Sequence, residues 1–523
     1  MGADLPVHFN FTRDVIEGWA NVRPDALALW CVTEHDGESL KLSFAQLADR
    51  ACRAASFLHQ LGIHRGDRVL LMMPRVPQWW IAMLGLIRLG AVPIPGTPLL
   101  TPKDIRYRVE TADIAALLTD ADGAAKAEGL NIKTRVLVGE ERPGWANFDK
   151  GIRDANPKFD PEPTRSDEPG IIYFTSGTTG YPKMVLHSHA SYGLGHRITG
   201  ELWLDLKPDD VLWCITDTGW AKAAWSCLFG PWQMGACVFA VDARGKFDPA
   251  AALRTLADYP ITTWCAPPTA LRLMVREDLS AYRFPKLRHC VSAGEPLNPE
   301  VIETWKRATG LTIYEGYGQT ETVCLIGNLR SRDDEVRPGS MGKPTPGFTV
   351  ALLDDELSEV PSGIEGEVAI RVKPNRPLGL FREYWRNSDE NALRFRGDWY
   401  LTGDRATRDA DGYYWFVGRG DDVIKSAGYR IGPFEVESAL VEHPAVVEAA
   451  VVGKADSARG QIVKAFVVLR KDHAASENLK RELQEHCKRV TAPYKYPREI
   501  EFLPELPKTI SGKIRRLELR QRA

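Results

Sequence analysis

From about residue 40 to residue 370, helix-like and strand-like periods alternate along the chain. The stretch S-F-A-Q-L-A-D-R-A-C-R-A-A-S-F-L-H-Q-L-G has apolar residues at helical spacing, and D-R-V-L-L-M-M is a short apolar run. This alternation predicts β-sheets covered by helices, the α/β class. A chain of 523 residues exceeds what one core serves, so two or more domains are expected. No fixed repeat and no low-complexity segment interrupts the pattern. The Pro-rich, acidic stretch 156–170 reads as a surface loop. A boundary falls near residue 420. Before it, R-A-T-R and Y-Y-W-F-V flank the turn D-A-D-G and predict a β-hairpin. After it, G-P-F-E-V-E-S-A-L-V-E-H-P predicts a helix with Pro433 in its first turn. V-V-E-A-A-V-V and I-V-K-A-F-V-V-L predict strands, and E-N-L-K-R-E-L-Q-E-H-C-K-R-V a second helix. The expected division is a large N-terminal domain, 1–420, and a small α+β domain, 421–523.

Composition excludes several classes. Net charge is −2, without the basic excess that a general nucleic-acid or membrane-surface binder needs. The nine cysteines stand singly, odd in number and without C-x-x-C. Disulfide scaffolds and zinc ribbons are therefore not expected, and a reducing, cytoplasmic location is. The apolar stretch from Trp79 to Pro95 is broken by Arg88, Pro93 and Pro95, so no integral membrane segment is expected. The start M-G-A-D-L-P-V-H shows no secretory pattern. Residues 480–523 hold twelve Lys and Arg against six Glu. This is either a solvated face or a landing surface for a polyanionic ligand.

The chemistry-bearing strings are short. T-S-G-T-T-G-Y-P-K (175–183) follows the apolar run G-I-I-Y-F. Its glycines let backbone N–H groups turn toward an anion, its hydroxyls donate, and Lys183 adds fixed charge. It is not the G-x-x-x-x-G-K-[ST] phosphate loop. Y-E-G-Y-G-Q-T-E (314–321) offers an aromatic between glycines and, in Glu321, a carboxylate suited to Mg²⁺. T-G-D (402–404) and G-R (418–419) stand at the open ends of the predicted hairpin. Counting outward from its turn pairs 404 near 417, which puts Asp404 and Arg419 within roughly 7 Å. A carboxylate and a guanidinium so placed suit two ribose hydroxyls, or form a plain ion pair. P-K-T-I-S-G-K-I (507–514) presents Lys513 after a glycine.

Together, in this order, these strings resemble the adenylate-forming (AMP-binding) superfamily of acyl-CoA synthetases, non-ribosomal adenylation domains and luciferases. The resemblance covers essentially the whole chain. D-T-G-W (217–220), K-F-D-P (246–249), A-G-E-P-L (293–297), G-Y-R-I-G-P-F-E-V-E (428–437), H-P-A-V-V-E (443–448) and T-A-P-Y-K-Y-P-R (491–498) are similar to the medium-chain acyl-CoA synthetases. The resemblance implies an adenylate-forming N-terminal domain and a mobile C-terminal lid, with ATP, Mg²⁺ and CoA. The acid would become acyl-AMP with release of pyrophosphate, and CoA would then displace AMP.

Residue by residue, the resemblance implies that Thr175, Ser176, Gly177, Thr178, Thr179, Gly180 and Lys183 hold the β- and γ-phosphates. Gly294, Glu295 and Pro296 line the adenine, and Tyr317, within Glu315, Gly316, Gly318 and Gln319, stacks on it. Thr320 touches the α-phosphate and the substrate carboxylate. Glu321, with Thr178, binds Mg²⁺. Asp404 accepts from the ribose, with Arg419 beside it. Lys513 bridges carboxylate and α-phosphate, and Arg430 contacts the AMP phosphate. Asp421 matches the hinge. Ala427, Gly428 and Tyr429 lie along pantetheine, and Arg459, Lys488, Tyr496, Pro497 and Arg498 match CoA-contacting positions.

The acyl pocket is expected at Trp220, Lys222 and Trp225, whose bulk favours short, branched, medium-chain or compact aromatic acids. Lys222 departs from an apolar tunnel. It points away, or meets a polar group of the substrate, or is paired. His187 and His189 stand near the substrate carboxylate or are structural. The rival functions are a stand-alone adenylation enzyme loading a carrier protein and a non-catalytic nucleotide-binding scaffold. The partners expected are a carboxylic acid, ATP and CoA, without nucleic acid; an oligomer is admitted.

Overall fold

The computed structural model describes residues 5–33, 39–175, 182–332, 335–427, 429–457, 459–508 and 513–523. Its largest sheet has nine strands, in the order Lys343–Pro344, Ile326–Gly327, Ile313–Tyr317, His289–Ala293, Thr263–Ala266, Val211–Cys214, Cys237–Asp242, Leu27–Thr33 and Ser39–Ser43. The central pairings are parallel and those at the edges antiparallel. The sequence gives the reason. Thr263–Ala266 and His289–Ala293 are buried at every position, as parallel strands covered on both faces must be. A second sheet, of Val92–Gly96, Arg68–Met72, Ile114–Thr119, Thr134–Leu137 and Ala146–Asn147, is wholly parallel.

The predicted helix spans Phe44–Gln60. Ser43 and Gln46 form a capping box at its start, and its buried face includes Leu47, Ala51, Ala55 and Leu58. The apolar run after Arg75 forms a core helix, Pro77–Leu89, with every residue from Trp79 onward buried. Arg88, the break seen in the sequence, reaches Glu17 and the Phe159 carbonyl. Among the described residues no helix is long and apolar enough to cross a membrane. All nine cysteines are buried and free.

Two antiparallel sheets carry the short motifs. Pro169–Thr175 pairs Lys183–Ser188, which pairs Glu383–Tyr384. Trp399–Arg408 pairs Tyr414–Arg419 across the turn predicted at D-A-D-G. The register differs from simple counting. A bulge lets Arg405 face Gly418 and Ala406 face Phe416, so Asp404 sits directly opposite Arg419 rather than near 417. The extra residue at Val417 brings the two charged residues into cross-strand contact.

Residues 424–502 supply a fifth sheet, of Tyr429–Ile431, Ile424–Ser426, Gly460–Leu469, Val446–Asp456 and Glu499–Phe502. Helices Pro433–Glu442 and Glu477–Val490 cover it, as the sequence predicts, with Pro433 in the first turn of one and Ser476 capping the other. Its core, including Ile431, Val436, Leu440, Val451, Val467 and Leu483, is drawn from this segment alone. Leu483 is fully buried there. Leu483→Ala should destabilise this unit by about 2–5 kcal/mol. Hydrogen exchange should then quicken in strands 446–469 and not in strands 289–317. Equal quickening in both would contradict separate cores.

Candidate active site

A cavity of about 1390 Å³ opens at the carboxyl ends of the parallel strands, where Cys214, Ala266 and Pro267, and Ala293 and Gly294 end their runs. This is the crevice where open α/β sheets receive ligands. Into it project Thr175, Lys183, Trp220, Lys222, Trp225, Glu295, Pro296, Glu315, Gly316, Tyr317, Gly318, Gln319, Thr320, Glu321, Asp404, Arg419, Asp421 and Lys513. Residues 175 and 513 are far apart in sequence, and the fold brings their side chains to one space. Ser176, Gly177, Thr178, Thr179, Gly180 and Gly428 lie outside the described residues.

Asp404 organises the centre. It is 4% exposed, so its charge needs partners. Tyr317 Oη donates to Oδ2 at 2.7 Å and Gln319 Nε2 at 2.6 Å, while Arg419 Nη1 lies 3.2 Å from Oδ1. The carboxylate raises the already high pKa of Arg419, which keeps the guanidinium charged. Burial, and then the same carboxylate, raises the pKa of the Tyr317 phenol, so it stays a donor. Gln319 Nε2 also reaches the Thr402 carbonyl at 2.9 Å, tying the 317–321 loop to the T-G-D strand.

Glu321 is held differently. Tyr384 Oη donates to its Oε1 at 2.8 Å and lies 3.1 Å from Tyr400 Oη. Burial raises its pKa. A bound cation would reverse that tendency, and a carboxylate oxygen is the donor type Mg²⁺ accepts. Among the described residues no group of three or more His, Cys, Asp or Glu could hold a metal, so a cation here would need phosphate oxygens and water as further ligands. The carbonyl of neighbouring Thr320 is held by two side chains that do not line the cavity. His187 Nε2 donates to that carbonyl at 2.8 Å and Tyr192 Oη at 2.5 Å. His187 is fully buried and stacks on Tyr192, and burial pushes it down to about 3. It is therefore a neutral histidine that shapes the loop. His189 is buried too, starting the helix His189–Gly193, and does not line the cavity.

Lys183 Nζ meets Glu390 Oε1 at 2.5 Å, and Glu390 meets Arg394 Nε at 2.9 Å. Arg394 and Tyr384 line the cavity, and neither was singled out in the sequence. The one signal available was the i, i+4 spacing of Glu390 and Arg394 on a short helix ahead of T-G-D. Lys222 has a partner: its Nζ donates to the Ala293 carbonyl at 3.1 Å, which braces the start of the 293–297 loop. Glu295 pairs with Arg272 at 3.0 Å, Arg272 donates to Asn298 Oδ1 at 3.2 Å, and Asn298 Nδ2 donates to Ser438 Oγ at 3.0 Å. Trp225 backs Gly318, where an added Cβ would come within 2.3 Å of its ring.

The structure does not bring every expected residue to the cavity. Arg430 lies outside it and pairs with Glu365 at 3.4 Å. Ala427 and Tyr429 are also outside; Tyr429 is half exposed and stacks on Tyr494 at 4.2 Å. Lys488 and Arg498 flank the Tyr496 ring, 4.4 and 4.9 Å from its centroid, remote from the cavity with Pro497 and Arg459. Thus Lys513 is presented to the cavity while Ala427, Tyr429 and Arg430 are not.

Lys183 and the buried carboxylates of Asp404 and Glu321 thus stand around one cleft. The model for AMP-binding enzymes matches residues 16–385, and that for the AMP-binding enzyme C-terminal domain matches 435–513. The chain belongs to the AMP-binding enzyme family. It is 48% identical to the mitochondrial acyl-coenzyme A synthetase ACSM3 of Mus musculus, over 99% of this chain and 91% of that protein. It is also 48% identical to mitochondrial ACSM4 of Homo sapiens, with the same coverage. Among solved structures, the anthranilate CoA ligase AuaEII bound to anthranoyl-AMP superposes with TM-score 0.91 at 32% identity, covering 99% of this chain and 98% of that one. A benzoate CoA ligase from Burkholderia xenovorans LB400 gives 0.84 at 30%, covering 98% and 100%. The expected cytoplasmic location is corrected by these comparisons, since the curated relatives are mitochondrial proteins.

Glu315 provides a pH test of the site's packing. Its carboxylate accepts from the Leu297 and Gly339 N–H groups at 3.1 and 3.3 Å, yet burial pushes it up to about 8. The unfolded carboxyl ionises near 4.5, so between 4.5 and 8 the native state holds the extra proton. Stability from this group is therefore full on the acid side and lost as pH rises through that window. Glu315→Gln, neutral throughout, should show a shallower fall of the thermal midpoint across the window. Parallel curves for variant and parent would contradict the raised pKa.

Proposed function

We propose that the chain is an acyl-CoA synthetase, an ATP-dependent, AMP-forming ligase. It activates a short- to medium-chain, branched or compact aromatic carboxylic acid. The observation that carries this reading is the gathering of Lys183, Glu321, Asp404, Arg419 and Lys513 around one cavity of about 1390 Å³. Pockets for a single small ligand span roughly 300–1,000 Å³, so this one has room for a nucleotide and an acid together.

The substrate carboxylate oxygen attacks the α-phosphorus, and the bond to the bridging oxygen of pyrophosphate breaks, giving acyl-AMP and pyrophosphate. The CoA thiolate then attacks the acyl carbon and AMP leaves. Neither step needs a protein nucleophile, so this chain's contribution is positioning and charge. Asp404 and Arg419 orient the ribose, and the 294–296 loop and Tyr317 flank the base. Thr320 meets the α-phosphate, its backbone set by His187 and Tyr192 from behind. Lys183, with residues 176–180, meets the β- and γ-phosphates and must exchange Glu390 for them. Mg²⁺ held at Glu321, with Thr178, would neutralise phosphate charge. Lys513 stabilises charge on the α-phosphate as it develops.

The second step needs another face of the small domain. Ala427, Gly428, Tyr429 and Arg430 would enter the site as Lys513 leaves, by rotation about Asp421. Lys488, Arg459, Pro497 and Arg498, with Tyr496 between two cations, would take the phosphates and adenine of CoA. The exposure of Tyr429 in the pose where Lys513 faces the cavity supports this reading. Trp220, Trp225 and Lys222 would bound the acyl end. Two of the superposed structures are a benzoate and an anthranilate CoA ligase, which favours compact acids.

Three experiments test this. A panel of C2 to C12 straight, branched and aromatic acids with ATP, Mg²⁺ and free CoA should show thioester formation peaking at short, medium or compact aromatic members. A product seen only with a carrier protein would contradict it. Lys513→Ala should lower acid-dependent pyrophosphate release by about 10²-fold or more, while supplied acyl-AMP reacts with CoA at nearly the parent rate. Equal loss of both would contradict the two-face reading. Glu321→Gln should raise the Mg²⁺ concentration for half-maximal adenylation about tenfold. An unchanged Mg²⁺ dependence would remove the carboxylate from the metal site.

A further inference from the structure

We propose that Glu365 is a positioning residue that holds Arg430 out of the nucleotide site while Lys513 occupies it, and so sets the partition between the two half-reactions. This rests on the two-face reading above.

Glu365 precedes the strand Gly366–Arg371, within the N-terminal sheets. Arg405 Nε, beside Asp404, donates to its Oε1. The two side chains are only 16% and 12% exposed, so the carboxylate is fixed in place. The same oxygen receives Arg430 Nη1 at 3.4 Å, from the strand Tyr429–Ile431 of the small domain. The pair forms beside a small cavity of about 170 Å³ lined by Arg405, Lys425 and Arg430 with Asp355, Gly420 and Val423. Three cations converge there, and the carboxylates of Glu365 and Asp355 offset their mutual repulsion; Glu365 is the one that meets the Arg430 guanidinium.

Other contacts join the two parts in this pose. Asn298 donates to Ser438, and Arg276 Nη2 donates to the Val447 carbonyl at 2.7 Å. Neither contact involves a cation of the small domain. The Glu365–Arg430 pair differs, because its small-domain member is the cation that the second step requires at the AMP phosphate. The pair must break for thioester formation. Arg430 is 42% exposed, so water screens the contact and its strength is that of a partly exposed ion pair. That scale biases two poses by a factor of about 2–5 without trapping either.

The test measures both half-reactions of the full-length enzyme separately: acid-dependent ATP–pyrophosphate exchange, and CoA-dependent consumption of supplied acyl-AMP. Glu365→Gln should lower exchange about 2- to 5-fold while acyl-AMP consumption stays level or rises. Glu365→Asp, which keeps the charge, should recover most of the exchange. A parallel fall of both rates, or an unchanged ratio, would overturn the proposal, the first by showing a merely structural role. Arg430→Ala, run alongside, should slow acyl-AMP consumption about tenfold. If it does not, the underlying assignment of Arg430 fails. If it does and the Glu365→Gln ratio stays fixed, only the latch fails.

Discussion

The site depends on one buried negative charge. Asp404 is almost without solvent, and each of its partners comes from a different piece of the fold: Tyr317 from the end of a parallel strand, Gln319 from the loop after it, Arg419 from the facing hairpin strand. A carboxylate left unpaired in such a place is costly, so the sheets are held in the one relation that satisfies it. That relation leaves the cleft between the nine-stranded sheet and the hairpin sheet. Ribose hydroxyls entering the cleft would meet a carboxylate already oriented, with little reorganisation at the moment of reaction.

A second layer of buried groups shapes the surface that substrates meet. His187 and Tyr192 fix the Thr320 carbonyl, Tyr384 and Tyr400 fix Glu321, and Lys222 fixes Ala293. Each acts through hydrogen bonds whose donors are neutral or whose acceptor is backbone, so the layer adds direction without adding net negative charge beside the phosphates. Lys183 is the exception. It is paired with Glu390, which ties this cavity-lining cation to the Glu390–Arg394 helix.

Much of this was legible in the sequence. The α/β alternation, the 409–412 turn, the two helices of the small domain and the strings around 183, 317, 404 and 513 all rest on short-range chemistry that sequence carries directly. The bulge at Val417 was not legible, because alternation counts residues and does not show which one leaves the ladder. The partner of Lys222 was hidden because it is a backbone carbonyl 71 residues away, and every residue has one. Arg394 and Tyr384 escaped because their roles arise from strand pairing distant in sequence. The position of Arg430, paired with Glu365 and away from the cavity, depends on how two separately cored units sit in one pose, which no local pattern encodes.

The central claim is that the acid's own oxygen is joined to the α-phosphorus within this cleft. The direct measurement is a turnover with carboxylic acid labelled by ¹⁸O in both carboxyl oxygens, followed by mass spectrometry of the products. One label atom should appear in AMP and none in pyrophosphate. Unlabelled AMP, or label in pyrophosphate or inorganic phosphate, would contradict an acyl-adenylate and the reading of the site built on it.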